Sequence, residues 1–146
     1  VHQSEGLDKA ETISSKELPE RSKDWVNQAR RDLNVAEKMM YAGSFEWSCF
    51  IAQQAAGKAV KAAFQKLHAV AWGYSVMDLL KALSDKVTVP EELYDCARSP
   101  GRYYVTGRYP NGFGSGSPYE YFSRKDAEDA IVCDRRIIEF CSGILA

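Results

Sequence analysis

Residues 45–68 read FEWSCFIAQQAAGKAVKAAFQKLH, and this stretch decides the fold. Phe45, Cys49, Ala52, Ala56, Ala59, Ala63 and Leu67 recur every three or four residues, the spacing of one face of an α-helix, with Ser44 placed to cap it. That face is mostly alanine. Small side chains let a neighbouring helix approach closely, so this helix belongs at the centre of a bundle.

Working backwards, Val26, Ala29, Leu33, Ala36 and Met40 form a second stripe, in a helix that Ser22 is placed to cap and Gly43 ends. Only Gly43 and Ser44 separate the two helices, so they pack as an antiparallel hairpin. Residues 1–21 are polar, with Gly6 and Pro19 and little periodicity, and read as a flexible arm ahead of a domain over 22–146.

Working forwards, Val76, Leu79, Leu80 and Leu83 fit a short helix from Ser75, and Pro90 suits the first position of another that carries Leu93, Tyr94 and Ala97. Gly107, Pro110, Gly112, Gly114, Gly116 and Pro118 make Gly107 to Phe122 a long loop. Ser123 and Asp126 then start a last helix bearing Ala127, Ala130, Ile131, Ile137, Ile138, Cys141, Ile144 and Leu145 at helical spacing. No alternating Val/Ile/Thr-rich segment competes, and no internal repeat is present. The expectation is an all-α, up-and-down antiparallel helical bundle of four main helices plus a short one.

At 146 residues, with 45% hydrophobic and 27% charged residues, the chain has the composition of one globular domain. Its net charge of −1 gives no overall pull toward nucleic acid or an anionic membrane. Nothing in it reads as a signal peptide or a membrane span, so the expected location is cytoplasmic. Cys49, Cys96, Cys133 and Cys141 form no CxxC pair, which disfavours a zinc cage or redox motif; buried reduced thiols are expected. No metal-ligand cluster and no cofactor motif is visible. The glycine run lacks the Lys-Ser/Thr ending of a P-loop.

Local charge is more informative. Between Trp47 and Met77 the only charged residues are Lys58, Lys61 and Lys66; between Cys96 and Tyr119 they are Arg98, Arg102 and Arg108. Tyr103, Tyr104 and Tyr109 interleave the arginines. Cations for a phosphate beside rings for a base make Arg102, Tyr104, Arg108, Tyr109, Lys58 and Lys61 the candidate ligand-binding set. The competing reading of the two lysines is a solvated helix face or a salt bridge to a neighbouring helix. Asp24 and Asp32, beside Lys23, Arg30 and Arg31, read as surface ion pairing, and no residue is assigned a catalytic role.

The run Trp25, Ala29-Arg30-Arg31-Asp32-Leu33 and Ala36, followed by Phe45, Trp47, Cys49-Phe50, Gln53-Gln54-Ala55-Ala56 and Lys58-Ala59-Val60-Lys61-Ala62, resembles the HEPN domain family. So does Tyr103-Tyr104-Val105-Thr106-Gly107-Arg108-Tyr109-Pro110. The resemblance implies a helical bundle, usually a homodimer, often encoded beside a small nucleotidyltransferase with which it is thought to form a toxin-antitoxin or related two-component system. It also implies nucleotide binding, which has been proposed for the family. Some branches are metal-independent ribonucleases whose motif is an arginine followed four to six residues later by a histidine. Two departures stand out: Gly57 occupies a position where the family commonly has glutamate, and Gly107 lengthens the element before Pro110.

The chain has two histidines, His2 and His68, and neither follows an arginine at that spacing. Moving the 2′-hydroxyl proton of RNA needs a group that titrates near neutrality, a task histidine performs by default. His68 reads instead as a helix-end residue close to terminal carbonyls. The preferred expectation is therefore a non-enzymatic binding protein for a nucleotide or a nucleotidyltransferase partner. The alternative is a metal-independent ribonuclease that uses Arg108 and Tyr109 in place of the missing histidine.

Overall fold

A computed structural model of the chain describes residues 20–70, 75–98 and 115–146. Among the described residues five α-helices follow in order: α1 (Ser22–Tyr41), α2 (Phe45–Lys66), α3 (Val76–Leu83), α4 (Glu91–Arg98) and α5 (Arg124–Leu145), with a 3-10 turn at Pro118–Tyr121. No strand occurs among the described residues. Most of the expected arm lies outside them.

The buried positions of α1 are Val26, Ala29, Leu33, Ala36 and Met40, together with Ser22. On α2, Cys49, Ala52, Ala56, Ala59 and Ala63 are all buried. The alanine stripe does what small residues allow: α2 packs against α1, α3, α5 and the 3-10 turn and forms the middle of the bundle. The α1–α2 pairing is antiparallel, because Ser48 Oγ donates to the Ala36 carbonyl at 2.7 Å while Lys58, further along α2, reaches back to Asp32. Arg30 pairs with Glu139, and Arg135 with Glu37 at 2.6 Å, so α5 also runs antiparallel to α1. Leu80, Leu83, Leu93, Ile137 and Ile138 fill the core that these helices enclose.

Helix ends follow local chemistry. After α1, Gly43 adopts φ 86°, its N–H donates to the Met40 carbonyl, and the Ser44 N–H donates to that of Met39 at 2.8 Å. These two bonds are the Schellman closure, which needs a left-handed residue and so favours glycine. The same closure ends α2, but its left-handed residue is His68, at φ 54°, with Ala69 N–H bonded to the Phe64 carbonyl at 2.9 Å. His68 thus sits at the helix end, where its backbone N–H donates to the Gln65 carbonyl at 3.1 Å.

Ser75 caps α3 by accepting from the Asp78 N–H at 3.0 Å, and Ser123 and Asp126 form a reciprocal capping box at the start of α5. Two expected caps and one expected first residue differ. Ser22 is the first residue of α1 rather than its cap, Ser44 holds the cap position of α2 without a side-chain bond, and Pro90 lies one residue before α4. Residues 107–114 of the expected loop lie outside the described residues; its end forms the 3-10 turn, where the Glu120 carboxylate accepts from the Ser117 N–H at 2.6 Å.

One expectation is overturned. Cys96 of α4 and Cys133 of α5 form a disulfide with Cα atoms 5.3 Å apart, leaving Cys49 and Cys141 as buried free thiols. The two bridged residues are 37 positions apart, and only the packing of α4 on α5 brings them together.

Candidate functional site

Of the six residues expected to bind a ligand, Arg102, Tyr104, Arg108 and Tyr109 lie outside the described residues. Lys58 and Lys61 lie on α2, one turn apart, in different electrostatic settings. The Lys58 ammonium is 2.5 Å from Asp32 Oδ2, and Oδ1 of the same carboxylate accepts from Gln28 Nε2 at 2.8 Å. Its charge is therefore engaged inside the α1–α2 seam, where Asp32 is mostly covered, and Asp32 pairs across helices rather than with its basic neighbours on α1. Lys61 is exposed and has no ion pair among the described residues. Lys66, a turn and a half further on, lies 3.9 Å from Glu20.

Arg98, the first arginine of the second basic stretch, faces its own helix. It bonds Asp95 at 2.6 Å and Glu91 at 3.4 Å, and the Asp95 hydrogen bond, ahead of Glu91, raises its already high pKa. These pairs are exposed and contribute little stability. Their effect is to leave Lys61 as the uncompensated cation of the two basic stretches among the described residues.

Polar groups outside the expected binding set lie inside the bundle. Gln53 is 6% exposed, and its Nε2 has no hydrogen-bond partner among the described residues. Asp134 is fully buried on α5. A sequence signal existed for it: Ala130, Asp134, Ile137 and Cys141 follow the apolar spacing of that helix, so a carboxylate on this stripe enters the core. Gly57 carries open space, since a Cβ there meets no described atom within 4 Å.

At the other end of α2, Glu46, Trp47, Pro118 and Tyr119 line a shallow cleft of about 140 Å³. Trp47 meets Phe50 edge to face at 6.0 Å, and the Arg124 guanidinium lies over the Phe45 ring at 5.5 Å. His68 is exposed, and no arginine stands four to six residues before it. Among the described residues no group of His, Cys, Asp and Glu could hold a metal ion, and no helix is long and apolar enough to cross a membrane.

The sequence profile of the HEPN domain matches residues 22–144. Three solved structures are similar. A protein of Thermus thermophilus is 37% identical, with a TM-score of 0.81 over 87% of this chain and 100% of its own. A HEPN domain protein of Thermotoga maritima is 36% identical, with a TM-score of 0.65 over 84% of this chain and 97% of its own. An archaeal HEPN homologue is 33% identical, with a TM-score of 0.69 over 88% of this chain and 100% of its own. No curated protein matches the chain.

Proposed function

Because the chain belongs to the HEPN domain family, we propose that it is a non-enzymatic binding protein that engages a nucleotide, or a nucleotidyltransferase partner in a toxin-antitoxin-type pair. The observation that carries this reading is Lys61: a cation without an ion pair among the described residues, on a helix whose stretch after Trp47 holds no acidic residue. A free ammonium is available to a phosphate or to a partner's carboxylate, and a charge-assisted hydrogen bond is worth about 1.5–3 kcal/mol. Arg102, Tyr104, Arg108 and Tyr109 complete the proposed set, with Lys58 held back by Asp32. The family's usual homodimer is part of the reading, and Trp25, Trp47 and Val132, each 40–51% exposed, are apolar residues available to such a contact.

The test is a thermal shift with ATP on the full chain and on its Arg108→Ala variant. Ligand that binds only the folded state raises the melting temperature, and Arg108→Ala abolishes the rise. No shift at millimolar ATP sinks the nucleotide version and leaves the partner version, which co-elution with a nucleotidyltransferase encoded beside this chain then decides. Metal-free RNA cleavage that is lost in Arg108→Ala overturns the non-enzymatic reading.

A further inference from the structure

Gln53, Gly57 and Lys61 follow one another at intervals of four on α2. At roughly 100° and 1.5 Å per residue, they fall within about 80° of arc and span about 12 Å of the helix axis. Lys58 lies on the opposite side of Lys61 from this stripe, turned toward Asp32 on α1. Burial declines along the stripe, from Gln53 at 6% exposure through half-buried Gly57 to exposed Lys61.

Each position has a feature that the described part of the bundle leaves unused. The Gln53 amide presents a buried N–H donor with no acceptor among the described residues, a group that in native proteins usually meets a partner. Gly57 weakens the middle of a long helix, yet no described atom lies close enough to require a missing Cβ. Lys61 offers an uncompensated positive charge. A ligand that satisfies all three has a hydrogen-bond acceptor at its buried end, an anion at its exposed end, and a middle that rests against the helix backbone.

Resting on the nucleotide reading above, we infer that this flank of α2 is the nucleotide seat. An acceptor on the base edge takes the Gln53 Nε2 hydrogen bond, the ribose lies over Gly57, and the phosphate meets Lys61. Inorganic phosphate reaches Lys61 alone, so it binds far more weakly than the nucleotide.

Two substitutions test the seat without threatening the fold. Gly57→Ala adds one methyl group to the floor and improves helix propensity; Gln53→Met removes the donor while keeping length and burial. Titration of the full-length protein with AMP, and with inorganic phosphate, gives the affinities, and thermal melts without ligand give the stabilities. The expected result is that both variants melt at or above the wild-type temperature while AMP affinity falls at least tenfold. Wild-type affinity for AMP in both variants overturns the seat and leaves nucleotide binding elsewhere intact. Wild-type protein that binds no AMP at millimolar concentration overturns this inference together with the nucleotide reading. Phosphate that binds as tightly as AMP also overturns it, because the base would then contribute nothing.

Discussion

The Lys58 ammonium on α2 lies 2.5 Å from Oδ2 of Asp32 on α1, and this contact separates two lysines that the sequence presents as equivalent. Asp32 is 16% exposed and Lys58 33% exposed at the side chain, so the pair is only partly screened by water. Removing the ammonium leaves a mostly covered carboxylate with the Gln28 amide still bonded to it. Lys58→Met is expected to lower unfolding stability by about 1 kcal/mol, whereas Lys61→Met stays within about 0.5 kcal/mol of wild type. Urea denaturation of both variants checks the difference. Ligand affinity is expected to respond in the opposite order, with Lys61→Met the weaker binder.

The Cys96–Cys133 bridge closes a loop over 37 positions of sequence and ties α4 to α5. Cross-linking a loop of that length restricts the unfolded chain, an effect typically worth about 2–4 kcal/mol. Reduction by dithiothreitol, or the double change Cys96→Ser and Cys133→Ser, is therefore expected to lower the melting temperature by several degrees. Identical melts with and without reductant would show that the bridge contributes nothing. Thiol labelling provides a second measure: burial pushes the Cys141 thiol up to about 12, so native oxidised protein should not alkylate there at pH 8.

His68 holds a left-handed backbone position at the end of α2, where the equivalent residue after α1 is Gly43. A side chain in that region is strained against its own carbonyl, and glycine relieves the strain. His68→Gly is expected to raise stability by about 0.5–1 kcal/mol, measured as a higher urea midpoint. Because the substitution removes an exposed imidazole, unchanged nucleotide affinity in the variant would also dissociate this histidine from ligand binding.

The bundle was readable because its signals are local. Val26 to Met40 and Ala127 to Cys141 each repeat at the helical period, and Gly43, Ser75 and Ser123 mark helix ends by chemistry confined to a few neighbouring residues. The features that escaped depend on which helices meet. Nothing near Cys96 in sequence points to Cys133, and nothing near Asp32 distinguishes Lys58 from Arg30 or Arg31 as its partner. Ser44 shows a finer limit: its residue type suits a cap and its position is that of a cap, yet its side chain makes no capping bond. For the site, residue types flagged the lysines through their lack of acidic neighbours. Gln53 carried no such flag, because a glutamine in an alanine-rich run reads as a polar surface position until packing buries it.

Glu20 gives the start of the described chain a pH dependence with a definite sign. Ser22, whose backbone N–H donates to Glu20 Oε1 at 2.7 Å, holds the Glu20 carboxyl below its ordinary value of 4.5, with Lys66 and His68 adding favourable charge. The folded protein therefore binds the proton less readily than the unfolded chain does. The stabilisation is fully present above the ordinary glutamate range and is lost as pH falls through the lower, folded-state value. Glu20 is exposed to solvent, so the contribution is small and salt-sensitive. Glu20→Gln should accordingly melt slightly below wild type at pH 7 in low salt, and the two curves should converge as pH is lowered past that of the folded carboxyl. A gap that widens toward acid pH would reverse the assigned direction of the shift, and a gap unaffected by salt would rule out Lys66 as a contributor.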